Sequence, residues 1–206
     1  MYNGMKIALP DGFTAQHQAV LTQYLRDDRR LQPLEWRLLY EGIDALGSAR
    51  VQTEEGTSSF EKLYQRHVDV RFATTYLERL LTLTDIETKS PALIAEFARQ
   101  IAPHLQQVGL LRSDVPEARL FYAYCVYWWQ SFARGYAFEV QILRDLQASG
   151  VKLRKHDILD PNERRSVADL IVLDLTGDVK TSTYFLRQAT SQGLPNDFYV
   201  TRLWTG

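Results

Sequence analysis

Apolar residues recur at helical spacing through most of the first 149 positions. Trp36, Leu38, Leu39 and Ile43 share one face, and Gly47 follows them. Tyr76, Leu77, Leu80, Leu81 and Leu83 make a second run. A third, Leu93, Phe97, Ile101, Leu105 and Val108, recurs every three or four residues and so stacks on one side of a helix. Pro91 suits the first turn of that helix, and Pro103 would kink or split it. Gly56 to Ser59 reads as a loop feeding a helical run. A long helix is expected from about Pro116 and Glu117 to Gly150, which suits the position just past a helix end.

The pattern changes after Gly150. Val151 to Lys155 alternates apolar and basic, as a half-exposed strand does. Val167 to Leu173 is a dense aliphatic run typical of a buried strand. Thr176 and Gly177 carry turn chemistry, and Asp178 to Ser182 reads as a returning strand. Tyr184 to Gln192 is helix-like, Gly193 and Pro195 close it, and Phe198 to Thr201 suggests a last strand. From residue 117 the expected order is therefore helix, strand, strand, strand, helix, strand. The fold class that follows is α+β, with a helical region over 1–115 and an α/β core over 116–206.

Two positions apart on a strand, Asp178 and Lys180 share a face. A turn through Leu173 to Thr176 would set Asp169 opposite Lys180 and diagonal to Asp178, roughly 7 Å away between backbones. A turn through Asp174 to Gly177 would instead make Asp174 the better partner. Two carboxylates and an ammonium at one spot suit phosphodiester hydrolysis, because hard oxygen ligands hold Mg²⁺ or Mn²⁺ while leaving room for water and phosphate. By itself, Asp-x-Lys is most often a solvated ion pair. Its weight comes from charged groups facing one another in an aliphatic hairpin, where burial costs free energy without a partner or a metal.

The stretch from Val167 to Val172, followed by Asp178-Val179-Lys180-Thr181-Ser182, resembles the D…(D/E)xK motif of the PD-(D/E)XK, or restriction-endonuclease-like, nuclease superfamily. Ala168 stands where the naming proline would be, and Asp178 stands where Glu is more usual. The segment Arg134 to Val140 is similar to the first core helix of resolvase-like and exonuclease-like members. The resemblance spans roughly residues 117–206. It implies an α-β-β-β-α-β core around a mixed four-stranded sheet, and a Mg²⁺- or Mn²⁺-dependent deoxyribonuclease. Asp169, Asp178, Lys180 and Glu139 would be its catalytic set, the three carboxylates its metal ligands. Glu139 reads equally well as a helix-surface carboxylate near Arg134 or Arg144. Lys152, Arg154, Lys155, Ser182 and Arg187 are candidate nucleic-acid contacts, with Tyr184 a further one. The family also suggests a homodimer.

Composition tempers this picture. The 206 residues are 45% hydrophobic and 24% charged, ample for a packed core. Net charge is −1, so the broad basic footprint of a nucleic-acid-binding protein is absent, and DNA binding would need a local patch. Near-neutrality favours a rival reading, a nuclease-like fold used only to bind DNA or protein. A third is an unrelated helical interaction protein. The single cysteine, Cys125, sits among aromatic residues and suits a reducing cytoplasm. Met1 to Lys6 lacks the apolar stretch of a signal peptide, and Leu120 to Phe132 is too short to span a bilayer. The four histidines are scattered without metal-ligand spacing, each read as a surface or satisfied core residue.

Overall fold

A computed structural model describes residues 5–27, 30–152, 157–162, 164, 170–172, 175–179 and 201–204, the last three segments as backbone. The chain divides into two compact units, Met1–Ala73 with Ala95–Ser131, and Thr74–Ile94 with Phe132–Gly206.

In the first unit, β1 (Lys6–Ala8), β2 (Arg50–Thr53) and β3 (Gly56–Ser59) form an antiparallel sheet in the order β1-β2-β3. Val51 pairs with Ile7 on one side and Ser58 on the other. Gly56 has φ +125°, a backbone conformation that side chains resist, and it closes the β2–β3 hairpin. Helix α1 (Ala15–Arg26) starts at Thr14, whose hydroxyl accepts from the His17 amide while the His17 ring accepts from the Thr14 amide. Helix α2 (Pro33–Gly47) starts with proline in its first turn, and Glu35 accepts from the Gln32 amide at 2.7 Å. Gly42 lets α1 and α2 approach closely, since a Cβ there would lie 2.9 Å from Cβ of His17.

Helix α3 (Phe60–Tyr64), capped by Ser59, runs into a π-helical turn (Gln65–Asp69) and then α4 (Val70–Thr82). Helices α5 (Ile86–Gln107) and α6 (Ala118–Ala148) complete the helical set. Leu39, Ile43, Phe60, Ile101, Phe121 and Trp129 are fully buried. Phe60 meets Phe121 at 4.9 Å between ring centroids, and Trp129 meets Phe72 and Phe97 at 5.8 and 5.7 Å. These tilted and edge-on aromatic contacts add to what burial of their area alone contributes.

In the second unit, Tyr76, Leu77 and Leu80 of α4 are buried, and the Tyr76 hydroxyl donates to the Ala133 carbonyl of α6 at 2.8 Å. Asp85 caps α5, accepting from the amide and hydroxyl of Thr88. That cap starts α5 five residues before Pro91, so the proline lies inside the helix rather than in its first turn, and the helix continues through Pro103. Helix α6 ends as expected. Gly150 takes φ +76°, and the Val151 amide turns back to the Leu146 carbonyl at 3.0 Å.

Strands β4 (Leu170–Val172), β5 (Leu175–Val179) and β6 (Thr201–Trp204) form the second sheet, in the order β4-β5-β6. Both of its pairings are antiparallel. This overturns the expected α+β architecture with a mixed four-stranded sheet in a restriction-endonuclease-like core. A mixed sheet needs a parallel pair joined by a crossover, whereas β6 returns antiparallel to β5. The described chain is mostly helical, with two three-stranded antiparallel sheets. Val151 and Lys152 belong to no strand, because the chain is still closing α6 there. Residues 153–156 and the expected helix from Tyr184 to Gln192 lie outside the described residues. No helix among the described residues is long and apolar enough to cross a membrane.

Candidate functional site

The β4–β5 hairpin is tighter than its sequence suggests. Leu170 pairs with Gly177, Ile171 with Thr176 and Val172 with Leu175. Thr176 and Gly177, which carry turn chemistry, are therefore ladder residues, and the register is shifted two positions from the one that would set Asp169 opposite Lys180. Asp178 belongs to β5, and its ladder partner on β6 is Arg202. Directly opposite positions share a face, so this arginine is a neighbour the sequence reading missed. Its only signal was the alternation of Thr201, Arg202, Leu203 and Trp204.

Glu139 sits on α6 in the same unit, only 9% exposed. It is thus a buried carboxylate rather than a helix-surface one. Arg144, one of its suggested surface neighbours, is engaged elsewhere, donating to the carbonyls of Leu83 at 2.6 Å and Leu81 at 2.8 Å. Lys152 is exposed just after α6. Asp169, Lys180, Arg154, Lys155, Ser182, Tyr184 and Arg187 lie outside the described residues, as does Asp174. Among the described residues no group of three or more His, Cys, Asp or Glu is arranged to hold a metal ion. Cys125 is fully buried and burial pushes its thiol well up, which makes it a packing residue rather than a nucleophile.

The structure does assemble one polar cluster that the sequence left scattered. His67 lies in the π-helical turn and His104 near the end of α5, with ring centroids 6.0 Å apart. Burial, then the charge of Arg71, holds the His104 imidazole below its usual range, while the His67 carbonyl pulls the other way. Both His104 ring nitrogens are shielded from solvent. His67 is pushed down to about 4 by burial, then by His104 and Arg66, with Glu55 opposing. Both rings are therefore neutral near pH 7. Beside them is a groove of about 450 Å³, lined among others by Arg71, Arg99, Gln100, His104 and Gln107, with Glu96 its single carboxylate.

No known protein family, no curated protein and no solved structure matches this chain.

Proposed function

We propose that the chain is a metal-dependent nuclease acting on phosphodiester bonds in DNA, with Asp169, Asp178 and Glu139 as carboxylate ligands and Lys180 beside them. The observation that carries this reading is the β4–β5 hairpin. It sets the aliphatic strand that follows Asp169 antiparallel to the strand that bears Asp178, within the compact unit that also contains the buried Glu139. The reading requires the ladder to continue by one rung, which would oppose positions 169 and 178. Three carboxylates are the hard oxygen donors that Mg²⁺ or Mn²⁺ takes. When bound, the ion lowers the pKa of a water and neutralises charge on the phosphate. Lys180 would then orient that water or stabilise the developing negative charge, and Arg202, opposite Asp178, would add a second cation on the same face.

A second reading has its own support. The all-antiparallel sheet and the net charge of −1 favour a module that binds DNA or protein without cutting. One assay separates the two. Supercoiled, linear, single-stranded and branched DNA are incubated with the protein and Mg²⁺ or Mn²⁺, and Lys180→Ala is compared with wild type. The nuclease reading expects cleavage that Lys180→Ala lowers by orders of magnitude, since one charge-stabilising group in a dry site is worth about 3 kcal/mol of barrier. Gel shifts without cleavage would favour the binding module. Equal cleavage by Lys180→Ala would remove this site assignment.

A further inference from the structure

The groove beside His104 is unusual in its balance of charge. Arg71 projects from the first turn of α4, and Arg99, Gln100, His104 and Gln107 line it from α5. Arg71 and Arg99 are exposed and enter no ion pair among the described residues. The Arg71 guanidinium lies 5.8 Å from the centre of the Phe72 ring, a contact that leaves its hydrogen-bond donors available. Two guanidiniums, two amides and an imidazole thus border one space, against the single carboxylate of Glu96.

We propose that this groove binds a small phosphorylated molecule, its phosphate held by the Arg71 and Arg99 guanidiniums. The charge of the lining side chains favours an oxyanion over a metal cation. Two imidazoles sharing an ion at about 2.1 Å would also stand about 5–6 Å apart between centroids, so spacing alone permits a metal at His67 and His104. The arginines decide against it. Arg66 and Arg71 both act on the imidazoles as positive neighbours, and a divalent cation would meet the same repulsion. A phosphate meets the reverse, because arginine forks match its oxygens and their charge-assisted hydrogen bonds are among the stronger ones. About 450 Å³ is more than the phosphate needs, and it falls within the range of small-molecule sites, which leaves space for the rest of the ligand.

Binding couples to a proton. The groups acting on His104 are Arg71 from α4 and the His67 carbonyl, while Glu96 and Arg99 share its groove and His67 itself faces Arg66 and Glu55. A phosphate on Arg71 would offset the charge that lowers His104, so binding raises the affinity of that ring for a proton without direct contact. This site lies wholly in the first unit and does not depend on the nuclease reading.

The test is calorimetric titration of the full chain with inorganic phosphate and with glycerol phosphate at matched ionic strength, followed by histidine ring resonances. Saturable binding is expected, tighter for the ester, with the His104 ring moving toward its protonated position at neutral pH. Arg99→Gln and Arg71→Gln remove exposed side chains, so both should fold as wild type, and each should weaken binding about tenfold. Absence of saturable heat, wild-type affinity in both variants, or an unmoved His104 resonance would overturn the proposal. So would Zn²⁺ binding lost in His104→Asn while phosphate gives no response.

Discussion

The Arg144 guanidinium closes the end of α4 by donating to the Leu83 carbonyl at 2.6 Å and the Leu81 carbonyl at 2.8 Å. The last carbonyls of a helix have no partner within it, and a cation there also complements the negative end of the helix dipole. With Tyr76 donating to Ala133, this contact fixes the final turns of α4 against α6 in the second unit. Arg144→Met keeps most of the aliphatic stem and loses both donors. We expect a loss of about 1–3 kcal/mol, read as a lower urea midpoint with an unchanged slope. Arg144→Lys should recover part of it, since an ammonium reaches one carbonyl well but cannot present a planar fork to two. Wild-type stability in Arg144→Met would show that the contact contributes nothing net.

Gly42 carries a different kind of constraint. Replacing a mid-helix glycine by alanine is ordinarily stabilising, by roughly 1 kcal/mol. In α2 the added methyl would stand 2.9 Å from Cβ of His17 and 3.3 Å from Cδ1 of Leu21. The His17 atom is fixed to the backbone of α1, so the helices must separate, at about 1–3 kcal/mol. Gly42→Ala is therefore expected to lower thermal stability despite its better helix propensity. A higher melting temperature would mean that α1 yields at little cost.

Acid should weaken the first unit through its paired histidines. His67 is pushed down to about 4 from an ordinary value of 6.5, and His104 is also lowered. The unfolded chain therefore takes up protons at a higher pH than the folded one. Stability from these rings is complete above about pH 6.5, falls as pH drops toward about 4, and changes no further below that. His67 is only half buried, so solvent screening reduces its share to about 1–2 kcal/mol. Carboxylates titrate in part of this window. The measurement is thus a difference: urea midpoints across the range for wild type and for His67→Asn with His104→Asn. A parallel pH dependence in both proteins would exclude the histidines as its source.

Legibility in the sequence followed element length. Helices α2, α4 and α6 repeat their apolar face over several turns, and Gly150 marks the end of α6 where its positive φ requires glycine. Strands β1 to β3 are three or four residues long, too short for alternation to register, and Thr57, Ser58 and Ser59 look like loop. The β4–β5 hairpin was visible in composition, but Thr176 and Gly177, which suggested a turn, are ladder residues paired with Ile171 and Leu170. The mixed sheet failed because strand direction is a tertiary property with no local signature. For the same reason the contact of His67 with His104 was hidden. It depends on a π-helical turn and on the packing of α5, neither of which spacing encodes.

Glu139 offers the sharpest test of the nuclease reading within the described structure. It is a buried carboxylate on α6 that already has a partner in the fold, so a structural role and a ligand role predict different losses. Glu139→Gln keeps the shape and the hydrogen-bonding oxygen while removing the charge. As a metal ligand, Glu139 should contribute most of its effect when the ion is present. Mn²⁺ should then raise the melting temperature of wild type in proportion to occupancy. It should raise that of Glu139→Gln much less, with metal-free stability nearly equal in the two proteins and DNA cleavage lost along with the metal response. As half of a buried ion pair, Glu139 should behave oppositely. Removing one charge would strand its partner and cost about 3–5 kcal/mol without any metal, and the shift produced by Mn²⁺ would be the same in both proteins. Thermal melts of the two proteins across a Mn²⁺ series, each started from metal-stripped material, distinguish these outcomes. An unchanged Mn²⁺ response in Glu139→Gln would remove Glu139 from the proposed site.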